Sequence, residues 1–159
     1  MKRIGVTGHR NIPVEAVGHV QTEILAVLHE HGGALEALSS LAVGADQIFA
    51  DLALACGAEL TVVVPSGDYA DGFAAPGERA GYEALRRRAT REVRLEFAHA
   101  TDEAYYAAGA FIADNCDHLL AVWDGCPARG PGGTADIVHY ARRLGRPVTV
   151  IWREGLVRD

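Results

Sequence analysis

Short apolar runs alternate with longer amphipathic stretches along the whole chain. The apolar runs are bounded by turn-forming residues and predict strands at Arg3–Thr7, Leu35–Leu41, Glu59–Val64, Val93–Phe97, His118–Trp123 and Pro147–Trp152. The intervening stretches have helical spacing and predict helices at Val14–His31, Ala45–Cys56, Glu78–Thr90, Asp102–Asn115 and Thr134–Leu144. Because turn-forming residues bracket these runs, we expect the strands to be buried rather than half exposed, in a sheet covered on both faces.

Strands that alternate with helices predict a parallel sheet, since each parallel connection needs a crossover. The fold class expected is α/β, a Rossmann-like three-layer sandwich with a mainly parallel six-stranded sheet. With 159 residues and 49% hydrophobic content, we expect residues 1–159 to form a single Rossmann-like nucleotide-binding domain. The stretch Pro65–Arg79 is rich in Gly, Pro, Asp and Ala, which predicts a functional or mobile loop that covers a ligand.

Charge and hydropathy narrow the range of partners. The net charge is −6, and the main basic cluster, Arg86–Arg88 with Arg91, is interpreted as a solvated face or a subunit contact. We therefore expect no duplex nucleic acid partner. No apolar run reaches the roughly 18 residues of a membrane span and no leader precedes the first strand, which predicts a cytoplasmic protein without a membrane partner.

Polar residues and glycines collect in the loops that follow the predicted strands. In an open parallel sheet, ligands bind outside the carboxyl ends of the strands, so these loops predict the binding site. The candidate ligand-binding residues are Gly8, His9, Arg10, Ser40, Gly44, Asp46, Ser66, Asp124, Gly132, Gly133 and Thr134.

The glycine pair Gly132-Gly133 before Thr134 lies between a predicted strand and a predicted helix. Glycines let the backbone approach a ligand closely, and a helix N-terminus offers unpaired N–H groups and partial positive charge. This arrangement favours a bound phosphate. The alternative is a glycine loop that only turns the chain.

Three polar residues each admit two interpretations. Arg10 either holds a phosphate or carboxylate of the ligand, or pairs with a carboxylate at the sheet edge. His9 either acts on the ligand as acid, base or donor, or is a structural histidine. Asp46 either bonds a ribose hydroxyl or caps its own helix.

Common cofactor and metal motifs are absent from the sequence. The loop after the first strand lacks GxGxxG, and neither GxxxxGK[ST] nor GxSxG occurs, so we expect no nicotinamide, flavin or other cofactor and no serine nucleophile. His29, His31 and His139 have no cysteine or carboxylate at ligand spacing, so no metal site is expected.

Three segments together resemble the SLOG superfamily of Rossmann-like proteins. They are VTGHR at the first strand, SSLAVGADQIFADLAL at the second, and CDHLLAVWDG with GPGGTADIVHYAR at the fifth. The superfamily includes the lonely-guy phosphoribohydrolases, DprA and the YpsA-like proteins. The resemblance implies a nucleotide or nucleotide-derived ligand, with Gly132, Gly133 and Thr134 at its phosphate. The lonely-guy turn reads PGGxGTxxE, whereas Ile137 stands three residues after Thr134 here.

A purely structural or assembly role is the least favoured, because polar glycine loops concentrate at one edge of the sheet. Two functions with a ligand follow, and the departure at Ile137 favours the first. The protein binds or senses a nucleotide-derived ligand, or it is a nucleoside 5′-monophosphate N-glycosidase. Catalytic residues are unassigned, with Asp124 and Asp136 as candidates; we expect a ligand-hydroxyl contact for Asp124 and a structural role for Asp136.

Apolar residues on helical faces, namely Tyr105, Tyr106, Phe111 and Ile112, predict a homodimer.

Overall fold

A computed structural model describes residues 1–127, 133–153 and 155–156. Its strands are β1 (Lys2–Gly8), β2 (Leu35–Ser39), β3 (Glu59–Ser66), β4 (Arg91–Phe97), β5 (His118–Val122) and β6 (Val148–Ile151). Its α-helices are α1 (Val14–Glu30), α2 (Ala45–Ala55), α3 (Pro76–Arg87), α4 (Asp102–Asn115) and α5 (Thr134–Arg143), and a 3₁₀ turn spans Tyr69–Gly72. The described helices include none that is long and apolar enough to cross a membrane.

The strands form one sheet in the order β4-β3-β2-β1-β5-β6, and every pairing is parallel. The chain builds outward from β1 to β4 and then returns to place β5 against the other side of β1. The strand order therefore reverses between β1 and β5, which is where open parallel sheets bind ligands. The α/β Rossmann-like fold class expected from the sequence is confirmed.

Apolar side chains cover both faces of the sheet. On one face α1, α2 and α3 contribute Val20, Ile24, Phe49 and Tyr82 to a core that includes the β3 residues Leu60, Val62 and Val64. On the other, α4 and α5 pack Ile112 and Ile137 against Val63 and Leu119. Successive residues of β3 point to opposite faces, as the pleat requires. This double burial explains the apolar runs of the central strands. The edge strand β4 has no buried residue and alternates charged with apolar side chains over most of its length, so the expectation of burial is wrong for it.

The segment that we expected to be one long loop is largely ordered structure. β3 continues to Ser66, the 3₁₀ turn follows, and α3 begins at Pro76. Proline is well suited to a first helical position, where its missing N–H would have no partner. The loop prediction for Pro65–Arg79 is therefore wrong in extent, and only short connections remain on either side of the turn.

Candidate functional site

A cavity of about 450 Å³ lies at the carboxyl ends of β1, β2 and β3. The first residues of α2, α4 and α5 reach it, because a helix that follows a parallel strand begins at this edge. Three helix N-termini, each with the partial positive charge of its helix dipole, thus face one space. The volume falls in the range of roughly 300–1,000 Å³ typical of small-molecule sites.

The cavity brings together most of the residues that the sequence analysis selected. Those that line it are Gly8, His9, Arg10, Ser40, Asp46, Gly133 and Thr134. Gly44, Ser66 and Asp124 are not among its lining residues. Gly132 lies outside the described residues.

Arg10 leaves the end of β1 and lies over the ring of Tyr105, with 5.3 Å from its Cζ to the ring centroid. Within the described part of the chain it makes no ion pair with a carboxylate. The sheet-edge ion pair that was the alternative interpretation is thus not seen. The Tyr105 ring holds the guanidinium in place, and the planar donors of an arginine are suited to bidentate contact with phosphate.

The loop after β2 is held by its own hydrogen bonds. The Ser39 hydroxyl accepts from Leu41 N (3.0 Å), and Gln47 Nε2 donates to Leu41 O (3.0 Å). Between them Leu41 adopts a φ of 59° and is fully buried. A leucine in the left-handed region is strained, and such strain persists only where the surroundings enforce it. The loop therefore presents Ser40 and Ala42 to the cavity in a fixed conformation.

Asp46, in the first turn of α2, stabilises the same loop. Its Oδ2 accepts a hydrogen bond from Ala42 N at 3.3 Å, while Gly44 occupies the N-cap position of α2. Within the described part of the chain, the Asp46 side chain makes no capping hydrogen bond to α2, although Asp46 lies in the first turn of that helix, where an acidic residue is favourable. Burial raises the pKa of Asp46 to about 7, although the Ala42 N–H and the Arg10 charge lower it. The carboxyl group thus changes charge near neutral pH at the wall of the cavity.

Two glycines near the cavity, Gly8 and Gly44, allow neighbouring segments of the chain to approach more closely than a Cβ would permit. Gly44 has a φ of +91°, and a Cβ there would lie 2.3 Å from Arg10 O and 2.6 Å from His9 O. A Cβ on Gly8 would lie 2.4 Å from the Ala45 Cβ. These glycines let the loops after β1 and β2 come into contact, which places Arg10 and Asp46 at one cavity.

His9 and Asp124 form a buried pair. Asp124 N donates to His9 Nε2 at 3.0 Å, the Asp124 carboxylate lies 3.2 Å from the same atom, and His9 Nδ1 is 3.5 Å from Thr134 Oγ1. Asp124 Oδ1 also accepts from Cys126 N at 2.9 Å, which closes a turn after β5. His9 thereby connects the loop after β1 with the loop after β5 and with the start of α5.

Ser66 and Asp136 both lie outside the lining of the cavity, in different parts of the fold. The Ser66 hydroxyl donates to Asp68 Oδ1 at 2.8 Å, and Asp68 in turn accepts from Ala100 N at 2.8 Å, which ties the end of β3 to the start of α4.

Asp136 lies in the first turn of α5, where a negative charge is favourable. Its carboxylate is not among the groups that line the cavity.

Sequence reasoning missed the aromatic wall of the cavity. Tyr69 and Tyr105 both line it, with ring centroids 6.4 Å apart, and Asp102 lines it from the first turn of α4. Tyr105 and Ile112 had been interpreted as spare apolar surface for a dimer. Ile112 is instead buried in the core at 2% exposure, and Tyr105 faces the cavity, so these two residues do not support that prediction.

The fold and the cavity together define a Rossmann-like α/β protein with a ligand-sized site at the switch point of its sheet. No family model matches the chain, and neither does any curated protein. Solved structures do resemble it. They include the DNA processing protein DprA from Streptococcus pneumoniae (TM-score 0.68, 19% identity), DprA from Helicobacter pylori (0.70, 13%) and the Moco carrier protein from Chlamydomonas reinhardtii (0.52, 17%).

Each similarity covers nearly all of this chain but a smaller share of the other protein. They cover 94%, 99% and 94% of this chain, in the same order, and 50%, 68% and 75% of the other protein. The chain thus spans half the length of the S. pneumoniae protein. At these identities the similarity shows the fold.

One comparison corrects the prediction about partners. The structure of the H. pylori protein concerns its binding of single-stranded DNA. The exclusion of nucleic acid, which we made for duplexes from the net charge of −6, is therefore wrong as a guide to this fold. Net charge averages over the whole surface, whereas a single strand needs only a local groove with cationic and aromatic groups.

Proposed function

We propose that the protein binds a nucleotide or a nucleotide-derived phosphate ligand in the cavity at the carboxyl edge of its sheet. The observation that carries this proposal is Arg10, a guanidinium at the cavity wall that forms no close ion pair with a described carboxylate, although the Asp46 carboxyl group of the same cavity interacts with its charge. A cation in this position favours an anionic ligand, and its planar donors match the geometry of a phosphate.

The backbone around the cavity supports the same ligand. Gly133 and Thr134 line it at the start of α5, where N–H groups have no partner within the helix. Phosphates bind at such helix starts. The Ser40 hydroxyl, which makes no hydrogen bond within the described residues, and Thr7 add neutral donors of the kind that ribose or phosphate oxygens accept.

The resemblance of the three sequence segments and the similarity of fold both support a relationship to the SLOG superfamily, which we propose for this chain. Binding or sensing is favoured over N-glycosidase chemistry, because the two carboxylates considered for catalysis do not line the cavity. Asp124 is engaged with His9 and Cys126, and Asp136 lies on α5 away from the lining.

A titration tests the proposal. Nucleoside monophosphates, ADP-ribose, inorganic phosphate and a short single-stranded oligodeoxynucleotide are titrated calorimetrically into the parent protein and into Arg10→Ala. We expect phosphate-bearing ligands to bind the parent, and the substitution to weaken binding by about tenfold or more, as for loss of a charge-assisted hydrogen bond.

The control is Arg88→Ala, since Arg88 is an exposed arginine at the end of α3 that lines neither cavity near Arg10. It should bind like the parent. Equal losses in both variants would indicate a general charge effect, and no binding by the parent would refute the proposal. Binding of the oligonucleotide alone would assign the site to nucleic acid rather than to a small molecule.

A further inference from the structure

We propose that a second, smaller cavity beside the first holds the base of the ligand and selects a guanine-type base, one with two adjacent N–H donors. This inference rests on the proposed function and deepens it by naming the class of nucleotide. It is drawn from the volume of the smaller cavity, its aromatic lining and the one carboxylate that the described residues place there.

The two cavities share a wall. The smaller cavity has a volume of about 160 Å³, and four residues line both spaces: Arg10, Ala42, Tyr69 and Tyr105. A cavity of this size class accommodates a single aromatic ring system. A ligand with a phosphate in the larger cavity can therefore extend a planar group past Arg10 into the smaller one.

The lining of the smaller cavity suits a planar ring. Tyr69, Phe73 and Tyr105 contribute aromatic side chains to it, and Val43 contributes an aliphatic one. The rings are held in place, because Tyr69 and Phe73 pack edge to face at 5.4 Å and Phe73 stacks on Tyr82 at 4.5 Å. Aromatic side chains bind bases through contact with their π-faces, and a fixed wall loses little entropy when a ring binds.

Glu78 supplies the one carboxylate that the described residues place at this cavity, beside the polar side chains of Arg10 and Asn11. It lies in the first turn of α3, lines the smaller cavity but not the larger one, and forms no ion pair with a described residue. An ionised carboxylate only accepts hydrogen bonds, so it pairs with a donor group of the ligand. Glu78 therefore orients the ligand, with its phosphate towards Arg10 and Thr134 and a hydrogen-bond donor towards α3.

The donor pattern of the bases decides which of them fits. Guanine presents the ring N1–H and the exocyclic amino group side by side, so both can donate to the two oxygens of one carboxylate. Adenine presents its amino group beside an unprotonated ring nitrogen, which repels the second oxygen. Hydrogen bonds to a charged group contribute about 1.5–3 kcal/mol each, which corresponds to tenfold or more in affinity.

The experiment compares guanosine, inosine and adenosine 5′-monophosphates on the parent, Glu78→Gln and Glu103→Gln. The parent should bind the guanosine nucleotide at least tenfold more tightly than the adenosine nucleotide, with inosine, which keeps N1–H and lacks the amino group, between them. Glu78→Gln should bring the guanosine and adenosine affinities within about threefold of each other. Its affinity for inorganic phosphate should stay unchanged.

Glu103 is the matched control, because it is an exposed carboxylate in the first turn of α4 that lines neither cavity. Its variant should keep the parent's order of affinities. Nucleotides that bind with dependence on Arg10 but with equal affinity for the three bases would overturn this inference and leave the proposed function standing. Absence of any phosphate-dependent binding would refute both.

Discussion

Replacing Gly44 with alanine is expected to destabilise the protein by about 2–6 kcal/mol, a large part of the roughly 5–15 kcal/mol that stabilises a typical domain. Gly44 has a φ of +91°, which side chains with a Cβ rarely adopt, and the new Cβ would lie 2.3 Å from Arg10 O and 2.6 Å from His9 O. Both contacts are with backbone atoms, so neither can be relieved by a side-chain rotation. Urea denaturation measures the loss.

The same substitution should also reduce ligand binding by the protein that remains folded. Relief of the contact requires the His9–Arg10 segment to move, and Arg10 lines both cavities. A matched control is Gly18→Ala, because Gly18 lies in α1 and an added Cβ meets no atom within 4 Å. That variant should gain about 0.5–1 kcal/mol from better helix propensity. A change below 0.5 kcal/mol in Gly44→Ala would contradict the close approach of the two loops.

Asp46→Asn should stabilise the protein increasingly as pH rises from about 4 to about 7. The pKa of Asp46 is about 7 in the folded protein, mainly because of burial, against an ordinary value of 3.8. Between these values the unfolded chain loses the proton that the folded protein keeps, so the parent loses stability as pH rises through this window. Asparagine has no proton to lose, and its amide oxygen can still accept from Ala42 N.

The measurement is the free energy of unfolding of parent and variant at several pH values between 4 and 8. Their difference should grow up to about pH 7 and then stay constant. Asp51→Asn provides the control, since Asp51 is an exposed residue of α2 whose variant should follow the parent's profile. A difference between parent and Asp46→Asn that is independent of pH would show that Asp46 is ionised throughout this range.

Helix and strand positions could be predicted from the sequence because the spacing of apolar residues agrees with the burial that the fold gives them. Continuous apolar runs mark doubly covered strands, and the expected helix from Asp102 to Asn115 coincides with α4. The misplaced boundaries lie where backbone conformation departs from the local pattern. β2 ends at Ser39 because Leu41 turns into the left-handed region, which nothing in an apolar run indicates.

The edge of the sheet that holds the site was also predictable, because parallel topology gathers the loops after strands at one edge. Which side chains face the cavity was not predictable to the same degree. Asp124 follows β5 as expected, but its burial against His9 depends on a contact across 115 positions of sequence. Tyr105 has the spacing of an ordinary apolar helix face, and only the return of the chain to β1 places it under Arg10.

The most direct test of the central claim is a crystal structure of the protein grown with guanosine 5′-monophosphate. We expect the phosphate within hydrogen-bond distance of the Arg10 guanidinium and of the backbone N–H groups at the start of α5, with the base beside Glu78. A phosphate bound away from Arg10 and Thr134, or a cavity without nucleotide at a concentration that saturates binding in solution, would contradict the assignment of this cavity as the ligand site.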